Sequence, residues 1–138
     1  MIETRYRIRA TQVDQLGHLN NGSIFNLFEW ARWEAAEAGQ LVFDEAMWER
    51  GVGPVLVTAS AEFRKEIRFH EWVTIHTQVE KLVRKKFVIL QELFREDGEL
   101  AAVGHFEGLL IDRETRKVVP LPEDVLAWAR EEEIPVEL

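Results

Sequence analysis

Within the eight residues Asp14 to Asn21 (DQLGHLNN) the chain collects a carboxylate, a glycine, an imidazole and two adjacent carboxamides, and a run of large apolar residues follows at once. Those groups suit acyl transfer to water. A helix starting here presents unpaired backbone N–H groups and the positive end of its dipole. Such an end polarises a carbonyl oxygen and holds the negative charge that develops on it. A carboxylate in the loop just before it, Asp14, supplies a base for water or a nucleophile. Gly17 permits the tight turn that keeps Asp14 close to the helix end. The same residue types also build an ordinary turn and cap, so residue type alone leaves both readings open. His18 by itself reads first as a hydrogen-bonded loop histidine. Asp14 and His18 stand at the i, i+4 spacing of a metal pair, but no third ligand lies nearby in sequence, and no metal is expected.

The elements that must position this loop follow from periodicity. Residues 4–10 alternate, with Tyr6, Ile8 and Ala10 against Arg5, Arg7 and Arg9, which predicts a half-buried strand. Residues 22–38 predict a helix whose inner face is Ile24, Leu27, Phe28, Ala31, Ala35 and Ala38. Phe25, Trp30 and Trp33 widen its apolar surface beyond one stripe. Asn20, Asn21 or Ser23 is placed to cap it and Gly39 to close it. Short helical turns are expected at 43–50. Four strands follow, at 54–69, 72–83, 86–95 and 100–112, the last two joined by the Glu96-Asp97-Gly98-Glu99 turn. The first is expected to align Val55, Val57, Ala59, Ala61 and Phe63, and the third is apolar on both faces. Pro122 opens a short C-terminal helix. Short connections imply antiparallel pairing. One long helix must then cover one face of a five-stranded sheet, a two-layer α+β domain over residues 1–138. The doubly apolar third strand implies an oligomer.

The 138 residues suit one domain. The absence of cysteine excludes disulfides, thiolate metal sites and a thiol nucleophile. A net charge of −8 argues against general nucleic-acid binding. No apolar run is long enough for a membrane span and no signal peptide is evident, so a cytoplasmic location is expected.

The string D-x-x-G-H-x-N-N (14–21), between an alternating strand and the helix F-N-L-F-E-W-A-R-W-E, resembles the hotdog-fold acyl-CoA thioesterases, specifically the 4-hydroxybenzoyl-CoA thioesterase family and its bacterial long-chain acyl-CoA relatives. F-R-K-E-I (63–67) and the final long strand extend the resemblance over nearly the whole chain. It implies a long helix wrapped by a curved antiparallel sheet, subunits joined sheet edge to sheet edge as dimers that often pair into homotetramers, and an active site at the subunit interface. The family's catalytic aspartate maps to Asp14, the carbonyl-polarising N–H to the backbone of Asn21, and the motif histidine to His18. Asn20 and Gly22 flank that N–H and are expected to touch the substrate. Two basic clusters, Arg64, Lys65 and Arg68 and then Arg84, Lys85 and Lys86, are open to coenzyme A, with Arg64 and Lys65 the cations preferred; CoA is substrate here, so no cofactor is expected. Lys65 is notable because strand alternation would place it on the apolar face of Phe63 and Ile67. Some hotdog enzymes use a glutamate instead, for which Glu29, Glu34 and Glu62 are the candidates. Hydrolysis of an acyl-CoA to acid and CoA is the expected activity. A non-catalytic acyl-thioester binder and a 3-hydroxyacyl thioester dehydratase or hydratase are the alternatives.

Overall fold

The computed structural model describes residues 1–138. In chain order it comprises β1 (Ile2–Arg7), α1 (Asn21–Glu37), α2 (Glu45–Glu49), β2 (Val52–Phe63), β3 (Trp72–Val83), β4 (Lys86–Phe94), β5 (Leu100–Asp112), β6 (Val118–Val119), α3 (Glu123–Glu131) and β7 (Val136–Glu137), with a single 3-10 turn at Ala10–Gln12. The sheet order is β1-β3-β4-β5-β2, antiparallel throughout this path. The sheet has seven strands rather than five. β6 adds to β5, and β7 runs parallel to β3. Each is two residues long, too short for alternation to announce it.

α1 is the helix that the periodicity predicts. Asn20 caps it, its side chain accepting from the Gly22 N–H. The chain leaves it at Gly39 (φ +71°), where the Gln40 N–H donates to the Ala35 carbonyl at 3.0 Å, closing the last turn through a left-handed glycine. Ile24, Leu27, Phe28, Ala31 and Ala35 are buried, while Ala38 lies outside the helix and is exposed. Each large side chain on this face contributes about 1.5–3 kcal/mol by burial.

The helix sits on a sheet face built for it. Val73, Ile75 and Val79 of β3 and Phe87, Ile89 and Leu93 of β4 are buried in one core with Leu27 and Phe28. On β5 the residues paired with that β4 face are Ala102, Gly104, Phe106 and Gly108. A Cβ on Gly104 would lie 2.5 Å from the Phe106 ring and 3.0 Å from Phe28, so glycine there sets how closely helix and sheet approach.

β2 departs from simple alternation. The register with β5 shifts between Leu56 and Thr58, leaving Val57 as a bulge. Because the side-chain period is two, one extra residue exchanges the faces. Leu56, opposite Gly108, therefore shares a face with Ala59, Ala61 and Phe63, in place of Val55 and Val57. β2 also ends at Phe63. Lys65 is thus outside any strand and exposed, and the expected charge on an apolar face does not arise. The outer face of β4 is mixed. Val88 is buried, but Leu90 and Phe94 are half-buried beside polar neighbours, with the His76 ring tilted against Phe94 and His105 3.8 Å from Glu80. That face alone does not require a partner. Of the two edge strands, β1 and β2, β2 is the longer and carries Leu56, Val57 and Phe63 exposed at 45%, 46% and 43%.

Candidate active site

The loop before α1 is a small hairpin of its own. Val13 and Leu19 form a bridge, the Asp14 N–H donates to the His18 carbonyl at 2.8 Å, and Gly17 turns the chain at φ +81°. The Asp14 carboxylate is part of this framework. Its Oδ1 accepts from the Leu16 N–H at 2.9 Å and the His18 N–H at 3.2 Å. Oδ2 receives no hydrogen bond from the chain, and the residue is exposed. One oxygen therefore anchors the carboxylate and the other is free to act.

The loop is fastened to the segment after β2. The Leu19 N–H donates to the Ile67 carbonyl at 2.6 Å, and His18 bridges Arg68 through the backbone. The His18 ring faces that segment too, with Nε2 3.1 Å from Glu66 Oε2. His18 thus meets Asp14 through its backbone N–H, and its imidazole ties the loop down.

Two residues beyond Leu19 the helix begins. Asn20 accepts from the Gly22 N–H (2.8 Å) with its side chain and from the Ile24 N–H (3.1 Å) with its carbonyl. The Asn21 and Ser23 N–H groups find no acceptor in the chain. They sit at the positive end of a 17-residue helix, where a developing oxyanion is stabilised. A Cβ on Gly22 would lie 3.1 Å from Asn20 Oδ1, so glycine keeps this end uncrowded.

The other candidates separate clearly. Arg64 is paired with Glu62, Nε to Oε1 2.9 Å, which occupies both residues. Glu34 accepts from the Tyr6 hydroxyl at 2.9 Å. Lys65 is exposed and has no carboxylate partner. Of the three glutamates, Glu29 borders the apolar cavity along α1.

That cavity is about 190 Å³, and it uses Trp33, one of the aromatic residues that widen the apolar surface of α1. It lies between the middle of α1, the Leu41–Phe43 segment, the start of β2 and β4, and its walls are mainly apolar: Trp33, Leu41, Phe43, Leu56, Phe87 and Ile89. Arg32 also lines it. The Arg32 Nη1 donates to Gln91 Oε1 at 3.0 Å, and the guanidinium carbon lies 4.2 Å from the centre of the Phe106 ring. Gln91 is fully buried and donates to the Phe28 carbonyl and Thr77 Oγ1, both at 2.9 Å. The signal in the sequence was Gln91 itself, a polar residue at an inner-face position of the apolar run FVILQELF.

An antiparallel sheet carrying one long helix is the fold of the hotdog thioesterases. Residues 8–129 match the model of the Thioesterase-like superfamily, and the chain belongs to that family, a family of thioester hydrolases. Among solved structures it is similar to a DHNA-CoA thioesterase from Staphylococcus aureus, 28% identical, with a TM-score of 0.80 over 99% of this chain and 97% of that one. The Escherichia coli protein YbaW, described as a probable thioesterase, shares the fold with a TM-score of 0.83 at 23% identity, over 92% of this chain and 95% of its own. An Aquifex aeolicus protein whose name assigns it provisionally to the esterases is 25% identical over 122 residues, 88% of this chain and 92% of its own length.

Proposed function

We propose that the protein hydrolyses an acyl-coenzyme A thioester to a carboxylic acid and CoA. The observation that carries this reading is the placement of a carboxylate with one unbonded oxygen, Asp14 Oδ2, in the short loop that leads into the unsatisfied Asn21 N–H. In this mechanism the thioester carbonyl oxygen accepts a hydrogen bond from Asn21. Asp14 takes a proton from water as the water oxygen bonds to the carbonyl carbon. The tetrahedral oxyanion collapses, the C–S bond breaks, and the thiolate leaves and is protonated. Direct attack by Asp14, giving a mixed anhydride that water then opens, uses the same two groups. Asn20 and Gly22 shape the oxyanion end. His18 acts as a positioning residue through Glu66. Lys65, unpaired where Arg64 is neutralised by Glu62, is the cation better placed to meet a CoA phosphate.

A second copy of the chain is proposed to pair along β2. A twelve-residue edge strand with exposed Leu56, Val57 and Phe63 is the kind of edge that soluble proteins cover. Pro54, Val55 and Leu56 of that strand also border the cavity, so a partner there would help to enclose it.

The test is thiol release from a panel of acyl-CoAs, followed with a thiol-reactive dye. The chain has no cysteine, so the dye reports CoA alone. Tight acyl-CoA binding without release would instead identify a non-catalytic binder.

A further inference from the structure

Arg32 carries a charge that the hydrolysis described above does not use. Burial in an apolar surrounding pulls its pKa down, and the charge of Glu29 opposes this only in part. No carboxylate lies within 4.0 Å of the guanidinium. A desolvated cation is ordinarily paired. Arg32 is held instead by neutral groups, the Gln91 carboxamide oxygen and the face of Phe106. Gln91 is itself locked by the Phe28 carbonyl and Thr77. A guanidinium has five N–H donors in a planar fork, and only one is engaged here. The group is rigidly placed, lines a cavity, and retains the donors that match an acceptor oxygen or a carboxylate.

Its depth suits an acyl chain. The bond to Gln91, which in turn bonds the Phe28 carbonyl, brings the guanidinium back to the level of Phe28. Phe28 is seven residues from Asn21, roughly 10 Å along a helix axis. An acyl group whose carbonyl rests at the helix start has its far end at that level. Resting on the thioesterase reading, we infer that Arg32 selects acyl groups whose far end bears an anionic or strongly accepting oxygen, a carboxylate or an acidic aromatic hydroxyl, over the corresponding hydrocarbon acyl groups. Glu29 is the one carboxylate lining the cavity, and it moderates that preference by repelling an anion.

Two matched pairs test this by thiol release: hexanoyl-CoA against adipoyl-CoA, and benzoyl-CoA against 4-hydroxybenzoyl-CoA. In at least one pair the oxygen-bearing member wins in kcat/KM by about tenfold or more, as expected when a buried donor is otherwise left unpaired. The pair that responds identifies which oxygen is read. Arg32→Met brings that ratio close to one, chiefly through KM of the oxygen-bearing member, and Arg32→Lys retains part of it. Glu29→Gln raises it. The inference is overturned if the hydrocarbon member equals or exceeds its partner in both pairs, which needs no variant to fold. It is also overturned if the advantage survives in folded Arg32→Met protein. Release from none of the four esters, or from any other acyl-CoA, contradicts the thioesterase reading itself and the inference with it.

Discussion

The start of α1 and its middle are built on opposite plans. At the start the groups are polar, exposed and fixed by backbone: Asp14 by two N–H donors, Asn20 by the helix it caps. In the middle a single cation is set among apolar walls and fixed by side chains, Gln91, Thr77 and the Phe106 ring. Backbone fixation gives precise placement while leaving water access, which hydrolysis needs. Side-chain fixation in a core removes water and raises the electrostatic weight of each polar group. The first region suits chemistry common to every thioester, and the second suits discrimination among acyl groups.

That contrast can be broken in the middle with the largest effect on stability. Gln91→Leu removes the partner of Arg32 and of Thr77 in one step, leaving the partly buried guanidinium without its hydrogen-bond acceptor. It is expected to cost roughly 2–4 kcal/mol in denaturant unfolding, several times what any single loss at the exposed helix start costs. Gly104→Ala forces a methyl group against Phe106 and Phe28 and is expected to destabilise by about 1–3 kcal/mol. Through Phe106 it also shifts the platform under Arg32, so acyl selectivity should change more than turnover of a simple acyl-CoA. Asn20→Ala removes the cap at the start of α1, and thermal unfolding should report a loss of about 1 kcal/mol. Its effect on kcat should exceed what so small a loss of stability explains, because it loosens the oxyanion end.

The smallest effect lies away from both regions and serves as their control. Tyr6 is the only tyrosine, and burial together with the Glu34 carboxylate pushes its hydroxyl up to about 12. A raised folded-state value contributes stability that is fully present below pH 10 and is lost as pH rises through about 12. Ultraviolet titration should show this shift, and Glu34→Gln should lower it while leaving acyl selectivity alone.

The start of α1 was legible in sequence and the middle was not, for physical reasons. Caps, turns and chain reversals are local. Asn20, Gly17 and Gly39 therefore declared the helix limits within a residue, and β3 has the limits expected for it, Trp72–Val83, although a bulge at Glu80 exchanges its faces near the end. The bulge at Val57 is set by pairing with β5, which no pattern within β2 records, and it reversed the faces assigned to Val55 and Leu56. Lys65 was misplaced because the strand stops at Phe63. Arg32 and Gln91 are 59 residues apart, and their meeting depends on how α1 lies across the sheet. The string around Asp14 points to the chemistry proposed above and the aromatic residues of α1 to an apolar wall, whereas the meeting of Arg32 with Gln91 needed the fold.

The most direct test of the account is thiol release by wild type and Asp14→Asn on the acyl-CoA that wild type turns over best. The carboxamide oxygen of asparagine can still accept from Leu16 and His18, so the loop should stand. A fall in kcat of about a hundredfold, roughly 2.7 kcal/mol of transition-state stabilisation, is the predicted result. Release that continues undiminished in the variant would contradict the role of Asp14 and shift the base to Glu29, the glutamate that borders the cavity.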